Sequence, residues 1–243
     1  MSIRQKHSLP MITRFKCSDT KTPKSSGQNA AGFTLIELLS VILIIGILST
    51  VLLPGIARAR MASKSVACRS NLQQWGLATH LFVTENDDWL PQDGSPNGTW
   101  LKGGWYNDLP ATLGIPTYHE LPWRTNSSID PGRSLWICPA NPRRSNTNNL
   151  FHYALNRRVN GEGSNSHPVR LSGIPAPALT VWMFDNGRLA GVATENAVHT
   201  NLHAGGAQFL LLDGHVAHHR NTDYWDFKNN RGRLDQPNLR WIP

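Results

Sequence analysis

Residues 31–53 read AGFTLIELLSVILIIGILSTVLL. From Phe33 to Leu53 the run holds 21 residues with one ionisable side chain, Glu37. As a helix this stretch is about 31 Å long, close to the thickness of a bilayer's hydrocarbon core. A carboxylate at such a depth costs about 2.5–3.5 kcal/mol on insertion scales and marks a functional position by default. Glu37 therefore needs a partner, and the rest of the sequence is read outward from that requirement.

The segment before the run differs from it. Residues 1–32 contain Arg4, Lys6, Arg14, Lys16, Lys21 and Lys24 against Asp19, a net +5 out of the chain's +8. They are rich in Ser, Thr, Lys, Gln and Asn and lack apolar periodicity, so a disordered segment is predicted. Basic residues ahead of an apolar run suit a targeting or orienting leader better than a nucleic-acid arm, and no nucleic-acid partner is expected. The apolar run is too long for a secretory h-region, and no small-x-small cleavage site follows it.

The junction Gly32-Phe33-Thr34-Leu35-Ile36-Glu37-Leu38-Leu39 resembles the cleavage and methylation signature of type IV pilins and type II secretion pseudopilins. The resemblance implies that a prepilin peptidase cuts after Gly32 on the cytoplasmic side and N-methylates Phe33. It also implies that Glu37, fifth after the cut, meets the terminal amine of a neighbouring subunit during assembly. Two opposite charges tolerate a low-dielectric setting when they meet with good geometry. A plain signal-anchor, with the glutamate reaching for the interface, is the competing reading. Basic residues Arg58, Arg60, Lys64 and Arg69 flank the far end of the run, so charge alone orients it weakly. The resemblance places the N-terminus in the cytoplasm and the remainder outside the inner membrane, in the periplasm or on the surface. Either Met1 or Met11 could start the leader.

The helix is predicted to continue past Pro54, where a kink is expected, to about Phe82. Ile56, Ala59, Ala62, Val66, Leu72, Trp75, Leu77 and Ala78 recur mostly at three- and four-residue steps and predict the face that meets the head. Beyond Thr84, Asn, Asp, Gly, Pro and Trp become frequent. The predicted organisation is a leader (1–32), a helix (33–83, with 33–53 transmembrane) and a globular head (84–243). The head's length of about 160 residues suffices for one core. The fold class is α+β, a long helix packed on a small antiparallel-sheet, loop-rich head. LTVWMFDNG (179–187) reads as a strand, and AQFLLLDGHVAHH (207–219) as a hairpin around Asp213-Gly214. A two-residue type I′ turn would set Leu212 opposite His215 and Leu211 opposite Val216. The nine tryptophans read either as core anchors or as an aromatic platform for sugar or protein.

His203, followed ten residues later by Asp213-Gly214, is similar to the H-x9-D-G motif found near the C-terminus of a group of pilin-like proteins. Cys68-Arg-Ser-Asn-Leu-Gln-Gln, Cys138-Pro139 and Tyr153-Ala-Leu-Asn156 add to that likeness. Cleavage would remove Cys17. With the head outside the cytoplasm, Cys68 and Cys138 then invite one disulfide across about 70 residues; two buried thiols are the other reading. No cofactor is expected. His203, Asp213 and His215 would offer a transition-metal site if the Gly205-Gly206 turn folded them together. The alternative is structural, with Asp213 and Gly214 forming the turn and His203 locking the hairpin. Asp185-Asn186-Gly187 and Glu85-Asn86-Asp87-Asp88 offer oxygens for calcium without EF-hand spacing. No G-x-S-x-G, P-loop, H-E-x-x-H or dinucleotide fingerprint occurs, so no enzyme is expected.

The resemblance implies a subunit that self-assembles with other pseudopilins on an inner-membrane platform, as a type II secretion pseudopilus. A type IV pilus for adhesion, motility or DNA uptake shares the same signature. A third reading is a membrane-anchored binding protein that never polymerises. A secretin and a secretion ATPase encoded nearby would favour the first reading, and a retraction ATPase the second.

Overall fold

The computed structural model describes residues 32–94, 103–124, 126–144, 150–160, 167, 169–188 and 190–243. The leader (residues 1–31), Cys17 and both candidate start residues lie outside that set. The chain divides into two compact units, Met1–Ser49 and Thr50–Pro243. Helix α1, Leu35–Glu85, is 51 residues long and continues through Pro54.

In the first unit the described residues are almost wholly apolar helix, and their side chains are bare. Leu35, Ile36, Leu43 and Leu48 all stay exposed. A helix apolar all round and covered by nothing belongs in lipid or against copies of itself.

The second unit begins with the rest of α1. Its buried face is Cys68, Leu72, Trp75, Gly76, Ala78, Thr79 and Val83. The steps of three and four are those of one helix face. The face differs from the predicted one: Ile56, Ala59, Ala62 and Val66 at its start are exposed, and so is Leu77 farther along. Packing against the head begins only near Ser65, whose hydroxyl accepts from Gln208 Nε2 at 3.1 Å. The helix ends where Asp87 and Asp88 take left-handed φ values of 50° and 69°, and the Asp88 N–H closes onto the Val83 carbonyl at 3.0 Å.

A five-stranded sheet lies beside this helix: β1 (Tyr153–Asn156), β2 (Val181–Asp185), β3 (Val192–Ala193), β4 (Gly206–Leu211) and β5 (Val216–Arg220), in the order β3-β1-β2-β4-β5. Three pairings are antiparallel, but β1 and β3 run parallel. The sheet is thus mixed, not the antiparallel one predicted. Every residue of β1, β2 and β4 is buried, because both faces are covered, which is why FLLL reads as a continuous apolar run. Tyr153, Leu155, Trp182, Leu210 and Leu212 join the α1 core, whereas Ala154, Val181, Phe209 and Leu211 pack with Tyr224, Leu239 and Trp241 from the C-terminal region. A register irregularity between Val181 and Met183 lets both Trp182 and Met183 face the helix side.

The β4–β5 hairpin is one residue out of the predicted register. Leu210 pairs with Val216 and Phe209 with Ala217. The loop is Leu212-Asp213-Gly214, closed by Gly214 N–H to Leu211 O at 2.9 Å and Leu211 N–H to His215 O at 3.0 Å. A type I′ turn needs positive φ at both central residues, and here only Gly214 is positive, at 91°. Leu212 cannot pair with His215 because its N–H donates to the Thr180 carbonyl, 3.0 Å. A one-residue slip exchanges the two faces of a strand, so this loop decides which leucines meet the helix.

Seven of the nine tryptophans are core, Trp89 is exposed and Trp100 lies outside the described residues. Trp75, Trp105, Trp182 and Trp241 are fully buried, and Trp123, Trp136 and Trp225 nearly so. Trp75 meets Trp105 and Trp136 edge-on, with ring centroids 5.6 and 4.8 Å apart. An aromatic binding platform is not what the described residues build. Trp75 Nε1–H donates to Leu135 O at 3.2 Å and Trp182 Nε1–H to Thr79 Oγ1 at 2.9 Å, so the large rings also stitch α1 to the head by hydrogen bonds.

Candidate functional site

Gly32, Phe33 and Thr34 precede α1 in exposed, non-helical backbone. A Cβ placed on Gly32 would meet nothing within 4 Å. Thr34 is the N-cap of the helix. Its N–H and Oγ1–H both donate to Glu37 Oε2, at 2.8 and 2.7 Å, and Glu37 N–H donates to Thr34 Oγ1 at 3.3 Å. This is the reciprocal capping box of T-x-x-E. Glu37 thus has a local partner that the sequence reading did not weigh, although the Thr-x-x-Glu spacing was there to be read. The carboxylate remains exposed, and the capping box uses only its Oε2. It can bind a cation while capping its own helix.

The motif residues of the head do not converge. His203 and Asp213 lie at opposite ends of β4, so the six residues Gly206–Leu211 hold them about 20 Å apart. The transition-metal grouping of His203, Asp213 and His215 is therefore not formed. Asp213 is a turn residue. Its Oδ1 accepts the His215 N–H at 3.1 Å, and its carboxylate lies 2.6 Å from His215 Nδ1. His203 is buried instead beside Asp185, with Nε2 to Oδ2 at 3.1 Å. Asp185 Oδ2 also accepts the Gln208 N–H at 2.7 Å. The His203 carbonyl accepts from Gly206 N–H at 3.0 Å and from His218 Nε2–H at 2.7 Å. His203 thus locks the start of the hairpin, and its carboxylate partner, 18 residues away, carried no signal in the sequence.

Cys68 and Cys138 are joined as a disulfide with Cα atoms 4.9 Å apart. His203 Nε2 lies 3.5 Å from Cys138 Sγ. These three side chains are grouped closely enough to hold an ion, but thiolates are what ligate metal, and here the sulfurs are bonded to each other. Of the candidate calcium ligands, Asp185, Asn186 and Asp88 are engaged within the protein, whereas Glu85 and Asp87 are exposed. Asp185 and Asn186 are fully buried, with Asn186 Nδ2–H₂ donating to Phe151 O and Ala190 O. Asp88 Oδ2 is held by the Ser172 N–H and hydroxyl.

Two buried groups set opposing acid responses. Burial pulls the His152 imidazole down to about 4, so protonation favours the unfolded chain. That contribution to stability is lost as pH falls from about 6.5 to about 4. Burial pushes the Asp93 carboxyl up to about 6, so its contribution is present below about 3.8 and lost as pH rises through 6. Each is worth at most about 3 kcal/mol, and over pH 4–6 they offset one another. His152→Gln is expected to leave a protein whose melting temperature falls as pH rises from 4 to 6. Asp93→Asn should show the reverse slope. Parallel melting curves for both variants would reveal any failure of this opposition.

Residues 27–53 match the prokaryotic N-terminal methylation motif. No curated protein and no solved structure matches the chain. The matched span covers the Gly32–Phe33 junction, the Thr34–Glu37 capping box and the apolar helix that follows. That helix, its apolar part unburied, is long and apolar enough to cross a membrane. Together, the motif and the helix support a membrane-anchored, type IV pilin-like precursor processed by a prepilin peptidase.

Proposed function

We propose that the mature chain is a non-catalytic structural subunit of a type II secretion pseudopilus, cut after Gly32, methylated on Phe33 and assembled helically from the inner membrane. The observation behind this reading is Glu37, an ionised side chain at the start of a bare apolar helix, capped but still open to a cation. A methylated amine on Phe33 of a neighbouring copy is a cation of the right size at the right depth. The first unit's helix supplies the apolar contacts of the filament, with Gly46 open on all sides for close approach of another helix. The head faces outward toward partners. Burial of seven of the nine tryptophans favours this assembly role over glycan binding.

Intact mass and N-terminal peptide analysis of the protein from native membranes test the processing step. The expected mature chain begins at N-methylated Phe33. Gly32→Leu should block cutting nearly completely, because the exposed small residue at that position is replaced by a branched side chain. A Gly32→Leu chain that matures at the normal rate would remove the junction from the mechanism. A wild-type chain retaining residues 1–32 would leave a signal-anchored binding protein as the better reading.

A further inference from the structure

Two clefts of opposite charge lie along α1 within the second unit, one beside its middle at Lys64 and one at its C-terminal end. The first, about 530 Å³, is bordered by Lys64 from the helix and by Arg133 and Arg144 from the loop that follows Gly132. Among the described residues no acidic side chain lines it, and Asp130, two residues from its rim, is turned to the Gly132 N–H at 2.8 Å. The second, about 560 Å³, is bordered by Glu85, Asp87 and Asp108, and among the described residues no basic side chain lines it. Lys64, Arg133, Glu85 and Asp87 are exposed and make no ion pair among the described residues.

The acids sit where the helix itself disfavours them. The last turn of α1 contains no basic residue, and Glu85, Asp87 and Asp88 add negative charge to the negative end of its dipole. Arg170 is placed 4.6 Å over the Trp89 ring and beside Asp88, and among the described residues Glu85 and Asp87 have no ion-pair partner. Local preference broken in this way signals a role outside the isolated chain.

We infer that the basic cleft of one subunit receives the acidic helix end, Glu85 and Asp87, of another copy of this chain. This rests on the filament reading above and names the contact that gives the filament its axial step. Lys64 and Glu85 are separated by 21 residues of helix, about 30 Å. Joining the basic cleft of one copy to the helix end of a parallel neighbour translates each copy by roughly that distance. Such a head-to-tail contact uses two different patches and never closes on itself, so it extends into an open helical polymer. Complementary charge also steers encounter and fixes register. An anionic lipid headgroup fits the basic cleft less well. Lys64 lies 11 residues beyond Leu53, about 16 Å along the helix, whereas the headgroup layer is only about 5–8 Å thick.

The test uses full-length protein in native membranes. A zero-length carbodiimide joins amines to carboxylates in contact, and Lys64 cannot reach its own Glu85 along a rigid helix. A Lys64–Glu85 or Lys64–Asp87 peptide therefore reports a contact between copies, and it is the expected product. Reversing the basic side (Lys64→Glu with Arg133→Glu) or the acidic side (Glu85→Lys with Asp87→Lys) should lower filament yield at least tenfold. Combining all four changes in one chain should restore it to within about threefold. Filaments that form without the cross-link, that ignore either reversal, or that are not rescued by the combination would overturn the contact alone. So would linkage of Lys64 to a different protein. Absence of both filament and cross-link in the wild type would defeat the filament reading, and this contact with it.

Discussion

Glu37→Gln is expected to leave processing and membrane insertion intact and to lower filament yield about 100-fold or more. Glutamine at the third position of a helix still completes a capping box with Thr34, so α1 should begin at the same residue. What disappears is the charge. Breaking one half of a buried ion pair costs about 3–5 kcal/mol, which at tenfold per 1.4 kcal/mol exceeds two orders of magnitude for each contact. Thr34→Ala is the complementary change. It removes the cap, worth about 1 kcal/mol, and keeps the carboxylate, so assembly should weaken far less. Sedimented filament measured against processed monomer in the same membranes separates the two. Little or no loss in Glu37→Gln beside a clear loss in Thr34→Ala would mean that Glu37 serves its own helix only.

The second large effect belongs to the Cys68–Cys138 bond, which closes a 70-residue separation. In the chain-entropy description a loop of that size is worth about 4 kcal/mol. Replacing both cysteines with serine should therefore lower the unfolding free energy of the head by several kcal/mol. The bond lies in a fully buried environment, with both half-cystines at zero exposure, so the two hydroxyls would need new partners there as well. Urea unfolding of the detergent-solubilised chain, followed by the fluorescence of its buried tryptophans, measures the change. A loss under 1 kcal/mol would show that the reduced, unfolded chain is already compact around this loop.

The apolar helix and its acid were legible because a single element imposes them locally: length sets the span, and a lone carboxylate stands out in it. The β4–β5 hairpin was legible for the same reason, through Asp213-Gly214 between two β-rich runs. Its register was not, because that depends on where Leu212 N–H finds a carbonyl, and Thr180 lies more than thirty residues upstream. β1 and β3 are four and two residues long, too short for an alternating pattern, and exist through pairing with β2 and with each other. The helix face was misplaced at Ile56, Val66 and Leu77, since apolar spacing marks a stripe without saying which of its residues the head covers and which are left for neighbouring subunits or lipid. The Asp185–His203 pair was hidden because it joins the end of one strand to the loop before another, and nothing near either residue announces the other.

The hairpin tip rests directly on α1. A Cβ on Gly76 would lie 3.3 Å from the Gly214 carbonyl oxygen and 2.9 Å from Leu210 Cδ1, and one on Gly214 would lie 3.0 Å from His80 Nε2. Eight residues before Gly76, on the same face, Cys68 is bonded to the head. The helix is therefore fastened to the sheet side at two levels about 12 Å apart, one by close glycine contact and one by a covalent bond. Tension drawn along the helix, as a growing or retracting fibre would apply it, must shear the first attachment while the second cannot slip. Under load the head stays tied to its stem at Cys68 even where the glycine contact gives way, so complete separation at that level requires reduction of the bond.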